Sequence, residues 1–176
     1  MKKRDILISI AIIAAAFLFL FSHSRGKGQI EIDAGDADAT LRLRHDWFPK
    51  DVLIKSEYEP VVKMRAGVYR PKRLSISTKQ DDDTWLLYCS GPWGELSTIK
   101  MKNNETTVIK LGPPFQIEPK VQYAGSRIFI DFDIIGKAGE HYNGVVMLNN
   151  KRLPAPKVKI IDEAGNLLAS GNFEYG

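Results

Sequence analysis

From Gln29 to the C-terminus, apolar residues fall at alternate positions in short runs broken by Gly, Pro, Asn and Asp. In "TLRLRH", Leu41 and Leu43 share one side and Arg42 and Arg44 the other. A period of two puts successive side chains on opposite faces of a strand, whereas a helix needs apolar residues at i, i+3 and i+4. The same pattern recurs in "DVLIK", "RLSIST", "TWLLYC", "TTVIKL", "RIFIDFDII" and "KVKIID". It predicts about thirteen short strands at roughly 8–12-residue spacing, with no soluble helix. Such spacing points to an all-β fold, a β-sandwich, rather than to alternating strands and helices.

Turn residues divide the body. "LGPPF", Leu111 to Phe115, must end or break a strand because neither proline can donate to a ladder. It marks the seam between a first β submodule, 29–112, and a second, Ig-like one, 113–176, the two packed together. Within the second, "KVKIIDEAGNLLASGN" reads as a hairpin turning at Asp162 to Asn166, with Gly165 supplying a positive φ. Pro154 and Pro156 lead into it at a sheet edge.

The start of the chain departs from this pattern. A charged segment, 1–5, precedes an apolar run from Ile6 to Phe21, the arrangement of an export signal whose basic end stays cytoplasmic. Sixteen helical residues reach about 24 Å, slightly short of a hydrocarbon core of roughly 30 Å. Ser22 and His23 extend the helix to 6–23, and Arg25 and Lys27 in the linker 24–28 can snorkel. This favours an uncleaved signal-anchor. A cleaved signal peptide, cut after Ser24, is the alternative and would make the protein secreted. No cysteine directly follows the run, so a lipoprotein anchor is excluded.

The charge balance agrees with a targeting role for this segment. The chain holds 25 Lys and Arg against 21 Asp and Glu; five of the former and Asp5 lie within the first 27 residues, leaving 20 of each sign. A neutral body is not what a nucleic-acid-binding domain carries. The localisation expected is therefore a membrane-anchored, extracytoplasmic body, periplasmic or at the cell surface. Outside the cytoplasm cysteines normally pair, yet Cys89 is single, so an apolar core rather than an intrachain disulfide must hold the fold.

Signals for catalysis are weak. No Gly-x-Ser-x-Gly, His-Glu-x-x-His, Walker or dinucleotide pattern occurs. Cys89 with His141 as base is a conceivable pair, but the apolar "WLLYC" setting raises a thiol pKa and makes Cys89 read as core filling in a buried central strand. Asp81-Asp82-Asp83 are adjacent rather than spaced and read as a turn tip. Asp33, Asp36 and Asp38 are better spaced for Ca²⁺, though Asx-turns explain them more simply. Asn104-Glu105-Thr106 fits the glycosylation acceptor pattern. No cofactor is expected.

A stretch beginning "GDADATLRLRHDWF" and ending "VVKMRAGVYR" resembles small surface β modules of the PEGA and carboxypeptidase-regulatory-like type. The matching residues are Met64, Ala66, Gly67 and Tyr69, within roughly residues 30–80, and Arg65 stands where those modules usually have proline. The resemblance implies a non-enzymatic accessory or adhesion-like module of the cell envelope.

The sequence thus leads to a non-catalytic envelope protein with a binding or scaffolding role. The partner is a protein or glycan of the envelope, and the membrane is engaged through the N-terminal helix. The runner-up is a carbohydrate-binding module, since aromatics beside turns can stack on sugars: Trp93 in "SGPWGE", Tyr142 and Trp47 are the candidates, with Phe115 and Tyr123 nearby in kind. Trp93 can equally fold back to cap the sandwich. A cryptic hydrolase is the third reading.

Overall fold

A computed structural model describes residues 26–143 and 145–173, so the helix expected over 6–23 lies outside the described residues. Among the described residues there are fifteen strands and a single four-residue 3₁₀ turn, Gly94–Ser97. The strands are β1 (Lys27–Asp33), β2 (Asp38–His45), β3 (Asp51–Lys55), β4 (Val61–Arg65) and β5 (Gly67–Gln80). Next come β6 (Asp83–Cys89), β7 (Ile99–Met101), β8 (Thr106–Lys110), β9 (Gln116–Ala124) and β10 (Arg127–Ile135). The last five are β11 (His141–Tyr142), β12 (Met147–Leu148), β13 (Lys151–Arg152), β14 (Lys157–Ile161) and β15 (Leu167–Asn172). The protein is all-β, with several packed sheets, as a β-sandwich requires.

The alternation read from the sequence becomes two apolar sheet faces. The larger sheet runs β13-β12-β6-β5-β2-β3, with β7 also on β5. A three-stranded sheet, β4-β1-β8, supplies Ile30, Ile32, Met64 and Ile109 to the same core as Leu41, Leu43, Ile54, Leu74 and Ile76 of the larger one. At 14 residues β5 is the longest strand and organises the larger sheet. It pairs with β2 along one side, and with β7 and then β6 along the other. Pro71 lies within β5, and the register with β2 shifts between Arg42 and Leu43 beside it. A bulge there accommodates a residue with no N–H to give the ladder.

One expectation needs correction. The run "TWLLYC" is β6, an interior strand of the sheet, but it is not buried on both faces. Cys89 is fully buried, while Trp85 and Tyr88 remain partly exposed. An antiparallel sheet covers its core face and leaves the other to solvent, so a continuous apolar run overstates burial. Strands from either side of the "LGPPF" seam also share hydrogen bonds. β12, from the segment 113–176, pairs with β6 and carries β13 with it, extending the larger sheet.

The remaining strands form two small assemblies. β10 pairs with β9 over nine residues and with β11, and β14 pairs with β15. The β14–β15 hairpin turns at the expected residues, with the Asp162 carboxylate accepting from Asn166 N at 2.7 Å and Gly165 at φ 85°.

Candidate functional site

The candidate residues from the sequence separate once placed. Asp33 Oδ1 accepts a hydrogen bond from Gly35 N at 3.2 Å, closing an Asx-turn between β1 and β2. Among the described residues no group of three or more His, Cys, Asp or Glu is arranged to hold a metal ion. Asp81 and Asp82 form the tip of the β5–β6 hairpin, with Asp81 at φ 54°, and Asp83 accepts from Asn149 Nδ2 at 2.8 Å.

The aromatic candidates differ sharply in exposure. Tyr142 is only 4% exposed and cannot offer a face to a sugar, which corrects its assignment as a ligand-stacking residue. Its pairing with Ile134 through β11 draws it inward, edge-on to Phe115 at 5.1 Å. Trp93 is half-buried and packed against the core at the start of the 3₁₀ turn. Trp47, in the β2–β3 loop, is 75% exposed.

Cys89 is buried, with Sγ 3.9 Å from Pro92 O. Burial pushes its thiol up to about 11, which disfavours the thiolate that nucleophilic chemistry needs. His141 Nδ1 instead lies 2.9 Å from Asp133 Oδ2, an oxygen shared with Lys120 Nζ at 2.6 Å. The native chain should therefore not react with a thiol-specific disulfide reagent at about pH 8, whereas the urea-unfolded chain should react fully. Full reaction of the native protein would contradict the packing described.

Sequence reasoning missed Glu140, a fully buried carboxylate. Oε1 accepts from Gly112 N at 2.7 Å and Tyr142 Oη at 2.8 Å, and Oε2 from Ala138 N at 2.8 Å. Burial, then the Glu140 charge, pushes the Tyr142 hydroxyl well above the usual tyrosine range, so it remains a donor. The neighbouring backbone tightens the joint: Lys137 N donates to Gly112 O, Glu95 N to Ala138 O and His141 N to Pro92 O. This is where the "SGPWGE" turn and the "LGPP" seam meet. Its donors and acceptors are spent on the fold.

The surface feature that remains is apolar. In the β9–β10 register Ile117 faces Ile134, Pro119 faces Phe132, Val121 faces Ile130 and Tyr123 faces Ile128. Cross-strand partners share a face, so all eight residues lie on one side of the hairpin. The β14–β15 hairpin covers this side only in part, through Val158 and the neighbouring Phe173, whose ring meets Phe132 edge-on at 4.8 Å. Between the hairpins lies a groove of roughly 390 Å³ whose lining is apolar except for Asp131. Ile117 on its rim is 70% exposed and β9 is exposed along its whole length. No family model, curated protein or solved structure matches the chain. An open apolar surface of this kind suits an apolar protein segment better than a polar ligand. The signal was present as "QIEPKVQY" and "RIFIDFDI", two alternating strands whose combined apolar face exceeds what one small hairpin can cover.

Proposed function

We propose that this protein is a non-catalytic binding module of the cell envelope, tethered by its N-terminal helix, whose extracytoplasmic body docks a partner protein. The single observation carrying this reading is the open apolar groove between the β9–β10 and β14–β15 hairpins. Apolar surface left open to water favours association by about 25 cal/mol per Å² once covered. The occupant suited to a groove between two hairpins with unpaired edges is an extended segment with alternating apolar side chains, as in β-strand addition. The resemblance of residues 30–80 to accessory envelope modules supports the same class of role.

The buried, inert Cys89 makes a direct test available. In the full chain, Ile117→Cys introduces one reactive thiol at the groove rim. It should be shielded from a membrane-impermeant maleimide in the native envelope and become reactive after purification. Equal reactivity in both settings would contradict a covered groove.

A further inference from the structure

At one end of the body Gly26 and Lys27, an aromatic loop and cations without an ion pair come together. Gly26 O accepts a hydrogen bond from Ala66 N at 2.8 Å, and Lys27 pairs with Arg65 across the β1–β4 ladder. Two residues beyond Ala66, Val68 O accepts from Asp46 N at 3.0 Å, which brings the β2–β3 loop to the same end. That loop carries the exposed Trp47 and the part-exposed Phe48, with the Arg65 guanidinium 4.6 Å from the Phe48 ring centre. A cleft of roughly 220 Å³ lies beside it, bordered by Lys50, Lys63 and Arg65 around Phe48. The acids here are already engaged: Asp46 pairs with Arg70 at 2.9 Å and Asp51 with Arg44 at 2.7 Å. Among the described residues, no ion pair involves Lys50, Lys63 or Arg65.

We infer that this end is a membrane-docking surface, with Trp47 and Phe48 seated at the lipid interface and Lys50, Lys63 and Arg65 held over anionic headgroups. The inference rests on the membrane-tethered reading of the N-terminal segment. Only four residues separate Phe21, the last of the apolar run, from Gly26, and the five steps between them, at about 3.4 Å each, span at most about 17 Å. A body tethered so closely holds its Gly26 end against the bilayer surface. Tryptophan favours the headgroup level, and lysine and arginine are drawn to anionic lipid within a Debye length. The body as a whole is neutral, so this concentration of uncompensated cations where the tether attaches matches the charge of the surface it faces.

The test uses the full chain reconstituted into vesicles of phosphatidylcholine and phosphatidylglycerol with brominated acyl chains. Vesicle flotation reports the tether, and tryptophan quenching reports the docking. The expected result is flotation together with a quenched, blue-shifted emission component that disappears in Trp47→Phe. That component should weaken when phosphatidylglycerol is omitted or when Lys50, Lys63 and Arg65 are all changed to Gln. Flotation without a Trp47 component would overturn the docking surface while sparing the tether, and would give this end to a protein or glycan partner instead. Quenching of Trp47 unaffected by lipid charge would overturn the assigned role of the three cations. Failure to float would overturn the tethered reading on which the inference stands.

Discussion

Replacing Glu140 by alanine is expected to destabilise the protein by about 3–5 kcal/mol, a large share of the roughly 5–15 kcal/mol typical of a folded domain. The substitution removes one carboxylate but strands three buried donors, Gly112 N, Ala138 N and Tyr142 Oη. Each unsatisfied buried group costs about 1–3 kcal/mol, with partial relief where the loop relaxes. Glu140→Gln should fall between the parent and the alanine variant, because its shape is kept while one oxygen becomes an NH₂ group facing a donor. In denaturant titrations in mild detergent, a slope near 2 kcal/mol per molar urea gives a midpoint about 2 M lower for the alanine variant. An unchanged midpoint for both variants would mean that the carboxylate does not join the segments around Gly112 and Ala138.

Gly94→Ala should be nearly as severe, on the order of 3 kcal/mol. Gly94 has φ 54°, a region that residues with a Cβ avoid, and a Cβ built there would stand 2.2 Å from Ala138 O. The obstacle is backbone, so no side chain can rotate away. Relief requires the 3₁₀ turn to separate from the 136–140 loop, which also weakens the bonds from Glu95 N to Ala138 O and from His141 N to Pro92 O. Unfolding measured as for Glu140→Ala should show it. A Gly94→Ala protein as stable as the parent would contradict the close approach of these two segments.

These two residues mark where the sequence was and was not legible. The β14–β15 hairpin was legible because its determinants are local: Asp162 binds Asn166 four residues away, and Gly165 supplies the left-handed turn. The Asp81-Asp82 tip and the inert setting of Cys89 were legible for the same reason. Glu140 was not, because in "GEHY" it looks like an ordinary loop carboxylate, and its burial depends on Gly112, 28 positions earlier. Tyr142 was misplaced by the same blindness, since its neighbours Ile134 and Phe115 become neighbours only through β11 pairing and the folding of the seam. Pairing of β12 with β6 spans some sixty positions and leaves no local trace. The groove lies between these cases. Each strand's apolar side was readable, but that β14–β15 would leave much of the β9–β10 face open is a matter of tertiary arrangement.

The central claim, that the open groove docks a partner protein, is tested most directly by site-specific photo-crosslinking of the full chain in its native envelope. A photoreactive side chain replaces Ile117 on the groove rim or, as a control, the exposed Leu53 on β3 of the larger sheet. The account predicts a discrete protein adduct from position 117 that is absent from position 53 and is lost when Ile130→Asp is added within the groove. No adduct from position 117, or the same adducts from both positions, would contradict it.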